Sequence, residues 1–339
     1  MKTQILSAAV AALLLAGCAT SNTAQAPAPA EPVVAATPEP AAPVAVEEPV
    51  PTPVAEAPAP LPLENSAAAP ATGSPALWRI ADEDTTIWLF GTIHVLPTGF
   101  TWRNPTIDAA IAESQGLILE TVTSDDQSQA ALMLMRLGMS ANLPPIGERV
   151  DAELRPQLAS MIARGPFPES FLNGLETWAA SLMLVGITLN DLGLDPESGV
   201  EEQLELIFEL AELPIAGLET PEEQLSFFDQ LPEDAQRHFL NSVIDAPEDI
   251  REEFNAMLEA WRSGDEDQIA MTFDDDLIFS ETLRDALLTR RNANWANWIV
   301  GRLAEPGTIF VAVGAGHLAG EDTVQDFLEA QGITAVRVQ

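Results

Sequence analysis

The chain has no tyrosine, one cysteine and only three histidines among 339 residues. A single thiol excludes any disulfide within the chain and leaves no second cysteine for metal binding. Basic residues are scarce too, with 15 lysines and arginines against 52 acids, Lys2 the sole lysine, and a formal net charge of −37. A field of that sign repels phosphate backbones and anionic headgroups, which argues against nucleic acid or anionic lipid as partners. It suits a solvated acidic surface. The sequence also lacks a Gly-rich phosphate loop, an HExxH zinc helix and a GxSxG nucleophile elbow. The apolar run from Ile5 to Leu15 is too short to span a bilayer.

That run belongs to a secretory signal, residues 1–18, with a charged start at Lys2 and an ending Leu15-Ala16-Gly17-Cys18. The ending resembles a bacterial lipobox. It implies cleavage before Cys18 and attachment of lipid, palmitate included, to the cysteine's sulfur and amino group. An ordinary signal peptide with a chance cysteine is the alternative. The expected location is the bacterial cell envelope, as an outer-membrane lipoprotein facing the periplasm or the surface, held to the membrane through its lipid. Residues 19–75 are nearly all Ala, Pro, Val, Glu, Ser and Thr. Such a composition buries too little apolar surface to offset chain entropy, so it reads as a disordered linker. Residues 76–339 are left as one folded domain.

Within that domain the stretch Thr86-Ile87-Trp88-Leu89-Phe90-Gly91-Thr92-Ile93-His94 has a near copy, Thr308-Ile309-Phe310-Val311-Ala312-Val313-Gly314-Ala315-Gly316-His317. Each is an unbroken apolar run of the kind that forms a buried parallel strand, followed by a glycine and then a histidine three positions on. Two further short apolar runs, Leu117-Ile118-Leu119 and Pro214 to Leu218, end in Glu120 and Glu219. Asn104-Pro105 caps a helix between the first strand and the Glu120 strand, and Thr220 with Glu223 forms a capping box. From about Gln127 to Leu210 the apolar spacing is helical, and Leu132, Met133, Met135 and Leu137 read as core filler. The fold class expected is therefore α/β, a small mainly parallel sheet carrying a large helical insertion.

Ligands in open α/β sheets bind outside the carboxyl ends of the strands. His94, Glu120, Glu219 and His317 should share that rim. Arg291 falls on the same helical face as Leu287, Leu288, Trp295 and Trp298, so it either meets a buried carboxylate or lays its stem over the tryptophans with its head in water. His238 lies on a polar helix and reads as a surface residue. Two imidazoles and two carboxylates allow two chemistries. They ligate a divalent metal such as Mn, Co or Zn, with His94, Glu120 and His317 as ligands, and so activate a water. Alternatively a carboxylate and a histidine activate water directly, with Arg291 or the other histidine stabilising the oxyanion. Both are hydrolytic.

Leu77-Trp78, Gly91-Thr92-Ile93-His94, Glu120, Gly217-Leu218-Glu219-Thr220 with Glu223-Gln224, Arg291-Asn292 with Trp295, and Val311 through Leu318 together resemble the TraB/GumN family, which includes pheromone-shutdown proteins and Tiki-type proteases. The resemblance runs from about Leu77 to Val338. It implies a fold similar to erythromycin esterases and haem-binding ChaN proteins, a site formed by His94, Glu120, Arg291 and His317 with Glu219 nearby, and metal-dependent peptide hydrolysis, the best-supported activity in the Tiki branch. One departure stands out: Gly199-Val200-Glu201 replaces the family's Gly-Val-Asp, one methylene longer. A peptide or small-molecule substrate in the envelope is the expected partner, and a non-catalytic binding protein or a haem binder the competing expectations.

Overall fold

The computed structural model describes residues 73–122, 127–245, 250–273 and 280–339; the signal peptide, Cys18 and the linker as far as residue 72 lie outside them. Six strands form one sheet: β1 (Leu77–Ala81), β2 (Thr85–Thr92), β3 (Leu117–Leu119), β4 (Ile215–Gly217), β5 (Gly307–Gly314) and β6 (Val336–Arg337), in the order β4-β3-β5-β2-β1-β6. The pairs β2/β5, β3/β5 and β3/β4 are parallel, while β1 pairs antiparallel with β2 and with β6. The two histidine-bearing strands are thus direct neighbours, and β5 slots between β2 and β3 although it comes nearly two hundred residues after β3 in sequence. Thr92 pairs with Gly314, so the two Gly-x-x-His turns are offset by one residue.

Apolar residues on both faces make these strands the middle layer of the domain. Phe310 and Ala312 of β5 face the larger core with the helical insertion, while Ile309, Val311 and Val313 face a second core under helices Arg290–Arg302 and Val324–Glu329. A Cβ on Gly91 would sit 3.1 Å from the Ala315 Cα. A side chain there would crowd the approach of the two motif turns, which glycine leaves open.

The insertion differs from its expected packing at one helix. In Gln127–Gly138, Leu132 is 69% and Met135 41% exposed, and Met133 and Leu137 are only half-buried. That helix packs against helices Thr177–Leu192 and Pro221–Asp229 through a face that includes Met133 and Leu137 and carries Leu132 and Met135 outward, so helical spacing was right for the first two and misread the other two as core. His238 also differs, because it is half-buried and its Nε2 is enclosed without a hydrogen-bond partner among the described residues. Residues just before β1 are tied to the domain: Ser74 donates its N–H to the Arg262 carbonyl, and the Asn104 side chain donates to the Gly73 carbonyl.

Arg149 ties the insertion's loops together. It is buried, and its guanidinium donates to the carbonyls of Pro144 (2.7 Å), Leu175 (2.6 Å) and Asn173 (2.9 Å). Arg149→Met would leave these acceptors unpaired, and urea denaturation is expected to show a loss of about 2–3 kcal/mol.

Candidate active site

The carboxyl ends of β2, β3, β4 and β5 lie on one rim of the sheet and deliver His94, Glu120, Glu219 and His317 there. Arg291 reaches the same place from helix Arg290–Arg302. It is 1% exposed, so it does not keep its head in water. Its five N–H donors all find partners. Nε and Nη2 form a fork on Glu219 at 2.9–3.1 Å, and Nη2 also reaches Glu120 Oε2 at 2.6 Å. Nη1 meets the Leu287 carbonyl at 3.1 Å and His317 Nε2 at 3.3 Å. Leu287 belongs to a π-helical turn, Asp285–Thr289, that leads directly into helix Arg290–Arg302; such turns are often found at functional positions.

Glu120 accepts from the Gly314 N–H at 2.7 Å and from Gln224 at 3.1 Å besides Arg291. The second motif glycine thereby contributes its backbone to the first acid. Glu219 accepts from the Trp295 indole at 2.9 Å, and the Trp295 ring packs 4.3 Å from that of His317.

His94 stands apart from this network in its direct bonds. Its Nδ1 lies 2.6 Å from Glu201 Oε1, and the Thr92 hydroxyl donates to the same oxygen. Glu201 occupies the first turn of helix Val200–Leu210, whose Val200 N–H bonds the Ile93 carbonyl at 3.1 Å. The buried atoms His94 Nε2 and Glu201 Oε2 have no hydrogen-bond partner among the described residues. In the sequence Glu201 stands out only as a departure from a family pattern, with no role attached to it. The signal available was its first-turn position after the Gly-Val pair.

Electrostatics separates like from like. For His94, burial lowers the imidazole's pKa, but the Glu201 carboxylate, by charge and hydrogen bond and with help from Glu120, overrides it and raises it to about 9. For His317, burial, reinforced by Arg291 and His94, outweighs Glu120 and drives it down to about 3. Burial would raise Glu120, but Arg291 above all holds it near 2. Glu219 is raised, because burial outweighs the guanidinium it must share with Glu120. At neutral pH the two motif histidines therefore differ, His94 being an imidazolium and His317 neutral.

His94's raised pKa stabilises the fold fully below pH 6.5, and that contribution is lost as pH rises through about 9. His317's lowered pKa stabilises it above pH 6.5, and that contribution is lost as pH falls toward 3. Unfolding free energy measured by denaturant titration is expected to peak near pH 6.5. The alkaline side should fall by on the order of 3 kcal/mol, a slope that Glu201→Gln flattens.

His94, Glu120 and His317 as arranged do not fit a divalent ion. Both Glu120 oxygens are engaged, His317 Nε2 faces a guanidinium N–H, and among the described residues no three His, Cys, Asp or Glu side chains are set to hold a metal. The cation around which these acids are arranged is Arg291.

Among curated proteins the chain is similar to the Uncharacterized protein YbaP of Escherichia coli (strain K12) and to its namesake in Shigella flexneri. Each is 26% identical over 250 residues, covering 71% of this chain and 86% of theirs. No solved structure matches. The TraB/PrgY/gumN family pattern covers residues 76–337, from the strand before the first histidine turn to the strand that closes the sheet, and the chain belongs to that family.

Proposed function

We propose that this protein is a hydrolase of peptide or amide bonds whose reacting groups are His94 and Glu201. The observation that carries the reading is a pair of buried atoms on one short ion pair, His94 Nε2 and Glu201 Oε2, that have no hydrogen-bond partner among the described residues. Burying polar atoms without partners is costly, and such exceptions call for a ligand or water that completes them. One is a donor when His94 is protonated, and the other is an acceptor.

The chemistry follows from those two atoms. Glu201 Oε2 takes a proton from a water whose oxygen attacks the carbonyl carbon. The displaced carbonyl electron pair moves to the oxygen, where the His94 Nε2–H stabilises the negative charge. When the tetrahedral intermediate collapses, the carbonyl re-forms, the C–N bond breaks, and the departing amine takes up the proton held by Glu201. The products are a carboxylic acid and an amine. Arg291 is closed to this work, since every donor it has is used; with Glu120, Glu219 and His317 it forms a rigid floor. No step passes through a metal.

Incubating the full-length protein with peptide and ester libraries under mass-spectrometric readout tests this. Cleavage of amide bonds should persist in EDTA and vanish in Glu201→Gln. Chelator-sensitive turnover would instead favour metal-assisted chemistry. Ligand binding without turnover is the second reading, favoured by the saturation of the Arg291 network, and it wins if no substrate is consumed.

The envelope location belongs to the same proposal and is supported by Leu15-Ala16-Gly17-Cys18. Cys18→Ala should move the protein out of the membrane fraction. Retention there would contradict a lipid anchor.

A further inference from the structure

The two Gly-x-x-His motifs look interchangeable in sequence, yet the surroundings of the second histidine are closed at both ring nitrogens. On one side, His317 Nδ1 lies 2.6 Å from Asn292 Oδ1, and Asn292 Nδ2 lies 2.7 Å from the Asp322 carbonyl. A carbonyl oxygen only accepts, so the amide must turn its NH2 toward Asp322 and its oxygen toward the ring. On the other side, His317 Nε2 lies 3.3 Å from Arg291 Nη1. A guanidinium only donates. The Glu120 carboxylate also faces Nε2, but its Oε1 is 3.6 Å away, beyond hydrogen-bond reach, and already accepts from the Gly314 N–H. A fixed acceptor at one nitrogen and a fixed donor at the other then favour a single arrangement of the ring, with the proton on Nδ1 and the lone pair on Nε2.

We infer that Asn292 is a positioning residue that locks His317 in its neutral, Nδ1-protonated tautomer, so that His317 serves as a fixed acceptor for Arg291 and takes no part in proton transfer. The chain of bonds runs from the Asp322 carbonyl through the Asn292 amide and the His317 ring to Arg291, and from there to Glu120 and Glu219. Every link is directional. Asp322 holds a left-handed backbone (φ 55), unusual for a residue other than glycine, in the turn that leads into the capped helix Val324–Glu329; departures of this kind persist where surrounding structure fixes them. Asn292 and His317 are 1% and 0% exposed, so water does not compete for these bonds. Adding a proton to Nε2 would press an N–H against Arg291 at 3.3 Å, closer than the Glu120 oxygen at 3.6 Å that would welcome it, so the lock also disfavours the imidazolium.

This assigns an inert role to one of the two histidines in the proposed mechanism, and its test needs no turnover. Long-range 1H–15N NMR of the imidazoles reads tautomer and protonation directly, and three histidines give a simple spectrum. His94→Gln and His238→Gln identify the His317 signals by elimination. In the unaltered protein at neutral pH, His317 should show a protonated Nδ1 and an unprotonated Nε2. An Nε2-protonated ring, a tautomer mixture or an imidazolium there would overturn the inference. Asn292→Asp replaces the amide by a carboxylate that cannot donate to Asp322 and attracts a second proton onto the ring. His317 should then become an imidazolium, with its contact to Arg291 broken. A folded Asn292→Asp protein, judged by circular dichroism, whose His317 keeps its original pattern would also overturn it. If that variant does not fold, the pattern in the unaltered protein still decides.

Discussion

Arg291→Met is expected to lower the unfolding free energy by about 3–5 kcal/mol, the cost of removing one partner from a buried ionic network. Glu120 and Glu219 would remain with side chains 5% and 8% exposed and no guanidinium between them. Two desolvated acids so close cannot both stay ionised, so at least one takes up a proton on folding. Two secondary outcomes follow. In the methionine variant, stability should keep improving as pH falls below 6.5 and the acids protonate, whereas the unaltered protein, in which Glu120 is held near 2 and favours folding only when ionised, should decline there. Adding Glu120→Gln and Glu219→Gln to Arg291→Met should recover part of the loss, because the stranded charges are gone. Arg291→Lys keeps the charge but not the fork and should fall between the two. Chemical denaturation across pH 4 to 8 measures all of these, and a methionine variant as stable as the parent would show that the network carries no such energy.

The second large effect is on activity. With a substrate from the library screen, Glu201→Gln and His94→Ala should each lower kcat by about 100- to 10,000-fold, the usual contribution of a positioned acid or base. The double variant should be scarcely worse than either single one, since the two act as a unit. Rate should also decline on the alkaline side as His94, raised to about 9, loses its proton. Glu201→Gln should carry any residual alkaline decline to lower pH, because the carboxylate that raises the imidazole is gone. Full activity in Glu201→Gln, with the protein folded, would move the chemistry back to Glu120 and the Arg291 network.

Much of the sheet is legible residue by residue. An apolar run that ends at a glycine, as in Ile87 to Gly91, has few ways to be buried other than as an inner parallel strand; its neighbour β5 follows the same pattern, and β3 is a shorter apolar run that ends at Glu120. The caps at Asn104 and Thr220 were equally readable because capping is a local matter of one side chain and the N–H groups two or three residues on, and both sets of bonds are present. Periodicity failed at Leu132 and Met135 for the converse reason. It reports that a helix has an apolar face, but not whether another element arrives to cover it.

The site divides along the same line. The rim position of His94, Glu120, Glu219 and His317 follows from strand direction. The partnership of His94 with Glu201 does not, because Glu201 sits 107 positions away on a helix whose approach is set by the bond between Val200 and Ile93. Nor do the opposite charge states of the two histidines follow from their motifs, which are alike. They depend on which neighbour each ring meets, a carboxylate for His94 and a guanidinium with an amide for His317.

By itself the sequence determined the parallel strands, the glycine turns that end two of them, the rim on which two imidazoles and two acids are presented, and the acidic character of the whole, all being properties of short stretches or of composition. Only the tertiary structure decided that β5 lies between β2 and β3, that Arg291 is enclosed by two carboxylates, and that one motif histidine has a ring nitrogen with no partner among the described residues while the other is closed at both. These are matters of distance between segments far apart in the chain, and hydrogen bonds and charge interactions depend on a few ångströms of separation that no local pattern encodes.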